Sequence, residues 1–340
     1  EIDSLELDKD NHNSVVFEYL AGDFLIASEQ IVLSEGKLSA DINSDGKTTV
    51  KPSENKLYIT FDNGSMIFDK STGFITSYIY KNHEMINSFP LGDFKGFAPA
   101  FYRAPLDNDR NICKYWHTMG LQNTSNICKG SSFTDNGDNI VVTTNIKSIA
   151  NCILPVANTQ IKYTIYPNGN ILVDVNCLGG GAVKLLPRFG VMLEMPKEYE
   201  NIKYFGLGED VNLPDYKEHT INKVYQTTVD KLKEDYIKPQ ESATRCDVRF
   251  AEITNASGFG LRFEAVNKPF VFSASHYTSN QWARAMHRDD LVDLPTTCVN
   301  IDSSVLGAGS NACGPLPDKK DRVGSLSGKK LSFVVKPIGE

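Results

Sequence analysis

The chain has 340 residues, 41% hydrophobic and 23% charged, with a formal net charge of −7. That balance fits a globular protein larger than one compact core and speaks against nucleic acid or an anionic membrane surface as partner. No apolar run approaches the ~20 residues of a bilayer span, and the seven cysteines (Cys113, Cys128, Cys152, Cys177, Cys246, Cys298 and Cys313) are scattered, odd in number and never spaced CxxC, so zinc knuckles and a disulfide framework are not expected and reduced thiols in a cytoplasmic protein are.

In chain order, the opening EIDSLELDKD shows neither an initiator Met nor a signal peptide, which predicts a chain cut from a longer polypeptide. Residues 1–48 hold two apolar runs, VVFEYL and FLIASEQIVLS. They are too few for a core of their own and predict the closing strands of a small sandwich. The polar, turn-rich DINSDGKTTVKPSENK (Asp41 to Lys56) marks a domain boundary, with residues 49–340 as the larger domain. LYITFDNGSMIFD (Leu57 to Asp69) predicts a hairpin across Asn63-Gly64, and IKYTIYPNGNILVDV (Ile161 to Val175) another across Asn168-Gly169, because Asn-Gly supplies the positive φ angles of a two-residue turn. FTDNGDNIVVTTNI and ITNASGFGLRFEAV repeat the pattern less cleanly. Helical periodicity is nearly absent, NQWARAMH (Asn280 to His287) being the best candidate. Many strands joined by Gly and Asn turns predict an all-β protein of stacked sheets.

Chemistry is sparser. FYRAPLDNDRN (Phe101 to Asn111) crowds Arg103, Asp107, Asn108, Asp109 and Arg110 around Pro105. Asp107 and Asp109 stand two positions apart, as in calcium loops, but the loop glycine and distal glutamate are missing. As an acid/base pair they would need ~5–9 Å between carboxylates flanking one bond. The third reading is a polar turn in which Asp and Asn side chains cap backbone N–H groups and Arg103 neutralises them. The six histidines form neither HxxxH nor HExxH, no GxSxG elbow is present, and the glycines of YFGLGED lack the third glycine and following helix of a phosphate loop. GAGSNACGP (Gly307 to Pro315) is a small-residue loop that lets backbone approach something closely.

Five segments in order resemble the C-terminal part of a family 2 β-galactosidase. FYRAPLDND resembles that family's approach to its final β-sandwich domain. MIFDKSTGFITSYIYKNHEMI (Met66 to Ile86) looks like the domain's first hairpin, and YFGLGEDVNLPDY (Tyr204 to Tyr216) like the family's glycine-proline-glutamate-asparagine-tyrosine segment. DYIKPQESATRCDVRF (Asp235 to Phe250) is similar to its proline-glutamine-glutamate stretch, and TTCVNIDSSVLGAGSNACGP (Thr296 to Pro315) to its terminal loop. ASEQIVL (Ala27 to Leu33) further resembles the end of the preceding immunoglobulin-like domain. In the third segment, Val211, Leu213 and Tyr216 replace the family's glutamate, tyrosine and arginine, while Asn212 and Asp215 persist.

The resemblance implies a galactose-mutarotase-like super-sandwich over 49–340, preceded by the last strands of an immunoglobulin-like sandwich. It implies hydrolysis of terminal β-D-galactosides such as lactose, with the nucleophile and acid/base glutamates on a TIM barrel outside this chain. This chain then holds no catalytic residue, metal or cofactor; magnesium and sodium belong to the barrel of the intact enzyme. Arg103, Asp107, Asn108 and Asp109 become scaffold. Arg110, Asn111, Ile112 and Cys113 become a pocket rim, with Asn111 at the hinge position often occupied by Gly. Asn311 and Cys313 belong to the terminal loop, Cys313 standing where the family often has a sugar-stacking Trp. The implied partners are the β-galactoside and the N-terminal and barrel portion, as the same chain or as a large subunit, with room for a homo-oligomer and none for nucleic acid or membrane. Two alternatives remain: a stand-alone carbohydrate-binding module using Trp116 or Trp282, and an aldose-epimerase-like enzyme using His117 or His219 with Glu264.

Overall fold

The structure is a computed structural model that describes residues 8, 10–38, 42, 45–87 and 96–339. Alternation of apolar and polar residues builds nearly all of it. Along Ile140–Ala150, every second side chain is buried, the period expected when one face of a strand meets a core and the other does not.

The strands, in order, are β1 (Asn13–Ala21), β2 (Phe24–Ser34), β3 (Thr49–Pro52), β4 (Lys56–Phe61), β5 (Gly64–Asp69), β6 (Phe74–Tyr80), β7 (His83–Asn87), β8 (Ala98–Ala100), β9 (Thr124–Asp135), β10 (Ile140–Ala150), β11 (Leu154–Ile165), β12 (Ile171–Gly180), β13 (Arg188–Pro196), β14 (Asn201–Gly208), β15 (Ile221–Thr228), β16 (Arg245–Val248), β17 (Phe250–Thr254), β18 (Gly260–Ala265), β19 (Phe270–Ser275), β20 (Thr296–Val305) and β21 (Lys330–Ile338). Three short helices join them: α1 (Ile112–Met119), α2 (Val229–Leu232) and α3 (Ser279–Arg284). A nine-stranded sheet runs β15-β14-β17-β18-β21-β12-β11-β10-β9, one five-stranded sheet β16-β19-β20-β13-β8, and another is the meander β3 to β7. All pairings are antiparallel. One core joins the three sheets: Leu57, Ile59 and Tyr78 of the meander, Val142, Ile161 and Val173 of the large sheet, and Phe189, Val191 and Phe272 of the other. At about 1.5–3 kcal/mol for each fully buried large apolar side chain, this layer dominates stability.

Both Asn-Gly hairpins form, with turns that differ from expectation. Phe61 pairs with Gly64, so the two-residue loop is Asp62-Asn63, and the positive φ of 61° falls on Asn63. Gly64 opens β5; a side chain there would collide with the Ile79 carbonyl and the Phe61 ring. Between β11 and β12 the turn is longer, Tyr166-Pro167-Asn168-Gly169, closed by Gly169 N–H to Tyr166 O at 2.9 Å. Pro second and Gly fourth suit a type I turn. Helix α3 (Ser279–Arg284) overlaps the predicted segment over Asn280–Arg284, starting one residue earlier and ending three residues short of His287. Helix α1 was not anticipated: its two turns are too short for periodicity to stand out, yet Ile112 and Trp116, four apart, are its buried residues.

The β1–β2 hairpin lies outside the core. Phe24, Ile26 and Leu20 are among its exposed apolar residues. It reaches the large sheet through Gln30, whose side-chain amide bonds both the N–H and the C=O of Asn222 on edge strand β15 (2.7 and 2.8 Å), satisfying backbone groups an edge leaves open. The boundary predicted at 48/49 adjoins residues 39–41 and 43–44, which lie outside the described residues.

Candidate functional site

Three of the five family-like segments singled out in the sequence converge on one cleft of about 580 Å³, lined by Pro105, Leu106, Asp107 and Arg110, by Cys113 and His117 of α1, and by Lys238, Gln240, Ala283 and Ala312. A larger cavity of about 730 Å³ lies elsewhere, between the β1–β2 hairpin and the Lys217–Asn222 segment. The cleft is the better candidate because Pro105–Arg110, Lys238–Gln240 and Ala312, from three of the segments that carry the resemblance, meet in it.

Its base is the turn after Arg103. Pro105 fixes the chain in an extended approach, Leu106 is extended (φ −81°, ψ 165°), and Asp107–Asp109 forms one 3-10 turn. Closing that turn brings the Asp109 carboxylate back over Arg103. Its Oδ2 accepts the Arg103 guanidinium at 2.6 Å and the Leu106 N–H at 2.8 Å. Both residues are buried, Arg103 completely. The guanidinium also donates to the carbonyls of Ala104 (3.0 Å) and Leu306 (3.3 Å) and lies 5.6 Å from the Trp116 ring. Of the two aspartates, then, Asp109 faces inward. Asp107 is exposed at the cleft, and its backbone N–H donates to Gln240 Oε1 at 2.8 Å. Asn108 caps no N–H group among the described residues; its amide donates to Gly309 O at 2.7 Å, while Asn111 donates to Asn311 O at 2.7 Å. Asn111 takes a right-handed backbone (φ −89°, ψ −44°), so this hinge position does not use the left-handed conformation that a Gly would allow.

Helix α1 divides its faces by spacing. Ile112 and Trp116 point to the core, and Trp116 Nε1 donates to Leu185 O at 2.7 Å. Cys113 and His117, also four apart, line the cleft. His117 Nε2 meets the Tyr102 hydroxyl at 3.1 Å. Burial lowers the His117 pKa and favours a neutral ring, while burial, with Cys113 adding to it, raises that of Tyr102. Burial first and the Asp109 charge second also raise the Cys113 thiol, keeping it protonated at neutral pH.

The terminal loop is held by Asp215, whose two carboxylate oxygens accept the N–H groups of Ala308 (2.6 Å) and Gly309 (2.8 Å). Gly307 fits because a Cβ there would run into that carboxylate. Asn212, fully buried, ties the preceding segment to β16 by accepting the Cys246 N–H at 2.6 Å and donating to the carbonyls of Leu207 and Asp210. Cys313 is exposed and is not among the residues lining the cleft; Ala312 is. Sequence reasoning gave no role to Tyr102, Lys238 or Gln240, although Lys238 and Gln240 sit inside a segment singled out for its resemblance.

Chemically, one carboxylate, Asp107, lines the cleft among its described residues, whereas glycoside cleavage by two carboxyl groups sets both astride one bond. The described residues hold no cluster of three or more potential metal ligands, and no helix of the structure is long and apolar enough to cross a membrane. The trio considered for epimerase chemistry is dispersed. His117 lines this cleft and His219 the larger cavity. Glu264 lies elsewhere on β18, engaged by Arg262 at 2.5 Å and Lys336 at 2.6 Å. Trp116 and Trp282 are both buried, at 0% and 5% exposure, so neither offers a stacking platform.

The family described as beta galactosidase small chain matches residues 60–335. A beta-galactosidase of Actinobacillus pleuropneumoniae is 28% identical over 313 residues, covering 91% of this chain and 30% of that protein. One of Lactobacillus delbrueckii subsp. bulgaricus is 26% identical over 341 residues, covering 97% and 32%. The chain thus spans about a third of the length of these relatives. Among solved structures, galactose 1-epimerase from Lactobacillus acidophilus superposes with a TM-score of 0.50 at 8% identity, over 97% of this chain and all of that one. That likeness concerns the fold alone and agrees with the mutarotase-like super-sandwich expected from the sequence.

Proposed function

Because this chain belongs to the beta galactosidase small-chain family, we propose that it works as the C-terminal wall of a retaining β-galactosidase whose nucleophile and proton donor lie on a segment outside it. The observation that carries the reading is the convergence of Pro105–Arg110, α1, Lys238–Gln240 and Ala312 on one cleft with a single carboxylate. Such a cleft can bind, orient and exclude water; cutting a glycosidic bond by double displacement calls for a second, suitably spaced carboxyl group. In this reading Asp107, Arg110 and Cys113 stand at the edge of the galactoside pocket, and magnesium or sodium belongs with the barrel.

The exposed β1–β2 hairpin fits the same proposal. Its apolar residues are those a second sheet would cover, so residues 1–48 are assigned to the end of an immunoglobulin-like sandwich completed by upstream chain. The intact enzyme acts on terminal β-D-galactosides such as lactose and resides in the cytoplasm.

Complementation tests this directly. The 340-residue chain is mixed with a separately produced N-terminal and barrel portion, and hydrolysis of lactose and of a chromogenic β-galactoside is followed. Activity is expected in the mixture and in neither part alone. Turnover by this chain alone, or a fully active barrel portion unaffected by adding it, overturns the proposal.

A further inference from the structure

A separate cavity of about 310 Å³ is lined in part by Leu306, whose carbonyl accepts a hydrogen bond from Arg103 of the scaffold turn. Its apolar surface comes from Leu185, Leu186, Leu306 and Val323, the last three almost completely buried. Its polar lining is Lys184, Lys319 and Arg322, and among the described residues no carboxylate lines it. Asp318 and Asp321 neighbour Lys319 in sequence but do not line the cavity. Among the described residues, none of the three cations has an ion-pair partner. Arg322 Nε donates to Pro317 O at 2.7 Å and Lys184 Nζ approaches Gly181 O at 3.5 Å; carbonyls orient these groups without cancelling their charge. On a chain of net charge −7, three uncompensated cations over an aliphatic floor are a local reversal of sign.

We propose that this cavity binds an amphiphilic monoanion, an acyl chain seated on Leu185, Leu186, Leu306 and Val323 with its carboxylate among Lys184, Lys319 and Arg322. The volume sits at the lower end of small-molecule pockets, roughly 300–1,000 Å³, which pair apolar walls with a few polar groups that fix orientation. Burying the chain removes apolar surface from water, and the guanidinium supplies a charge-assisted fork for the carboxylate. Occupancy also reaches the cleft. The Leu306 carbonyl accepts from Arg103, the Leu185 carbonyl from Trp116, and the Asp321 carbonyl from the Gly307 N–H, so an occupant presses on the groups that position α1 and the terminal loop.

This inference is independent of the galactosidase reading and is tested on the 340-residue chain itself. Calorimetric titration uses octanoate, octanol and inorganic phosphate as probes. Octanoate should bind saturably at one site, and octanol and phosphate each at least tenfold more weakly. The double substitution Lys319→Gln/Arg322→Gln should weaken octanoate at least tenfold, while Lys129→Gln on β9 leaves it unchanged. Lys184→Gln, on an exposed stem, gives the same direction in a chain altered at one site only. No saturable octanoate heat up to millimolar concentration, an affinity indifferent to these substitutions, or octanol or phosphate binding as tightly as octanoate overturns the proposal.

Discussion

The Arg103–Asp109 pair allows scaffold and chemistry to be separated by experiment. Asp109→Ala leaves a fully buried guanidinium facing the Ala104 and Leu306 carbonyls without its carboxylate, and it removes the acceptor of the Leu106 N–H. Breaking one side of a buried ion pair costs about 3–5 kcal/mol. The orphaned N–H of Leu106, only half-buried, adds about 1 kcal/mol. Roughly 4–6 kcal/mol is then a large part of the ~5–15 kcal/mol typical of a domain. Replacing both partners with apolar residues of similar volume, Arg103→Met with Asp109→Leu, should recover most of the loss, because neither charge is then left buried alone. Urea unfolding measures the stability of each variant, and complementation with the barrel portion measures function. If the pair only shapes the turn, the double variant regains stability and galactosidase activity together. A double variant that folds with near-normal stability yet supports no turnover would refute the scaffold assignment, and an Asp109→Ala cost below about 1 kcal/mol would refute the burial argument behind it.

Three further outcomes follow from the structure. Glu194 lies buried on β13 with one carboxylate oxygen unpartnered, and burial lifts its pKa from an ordinary 4.5 to about 7. The folded state therefore holds this proton more tightly than the unfolded chain does. The associated stability is complete below about pH 4.5 and lost as pH climbs to about 7, a difference of about 3 kcal/mol. Glu194→Gln should flatten that part of the pH dependence in urea titrations between pH 4.5 and 8, and an unchanged slope refutes the assignment. Gly307→Ala should displace the Asp215 carboxylate and release the terminal loop at about 1–2 kcal/mol; its effect should not add to that of Asp215→Ala in a double-mutant cycle, so full additivity counts against the clamp. Gln240→Ala removes the acceptor of the Asp107 N–H at an exposed site, so unfolding should shift by less than about 1 kcal/mol, while amide exchange at Asp107 quickens measurably.

The architecture was legible because its signals are local. Period-two burial on β10 and Asn or Gly at the tips of β4–β5 and β11–β12 identify strands and turns without knowledge of their neighbours. What failed to show was orientation. Two aspartates in Asp107-Asn108-Asp109 look alike in a sequence; a single 3-10 turn decides that Asp109 goes under the loop and Asp107 into the cleft. Tryptophan composition could not reveal that Trp116 is buried against Arg103 and Leu185 O. The cleft itself joins residues near 107, 117, 239 and 312, a juxtaposition made by sheet topology, and only the order of family-like segments hinted at it.

The way buried charge is distributed bears on how such a wall meets a partner. Arg103, Arg188 and Arg245 are all at most 1% exposed, and each holds loops or strand ends rather than the centre of the core. Arg103 ties the Ala104 turn to Leu306, and Arg245 donates to the carbonyls of Thr244, Glu209 and Leu232. Arg188 faces Asp302 across β13 and β20 at 3.1 Å, one residue after Pro187, whose carbonyl accepts the Leu306 N–H. Guanidinium groups have five donors in a rigid fork, so one arginine can fix loops that share no strand. Loops fixed in this way keep their shape before any partner arrives, and association then costs less ordering entropy than it would with free loops. Substituting Arg245 by Lys preserves the charge but cannot reach three carbonyls in separate directions. Its expected effect is therefore faster amide exchange in residues 207–215 and 230–244 before any loss of the sheets, and the same residues should slow again when the barrel portion is added.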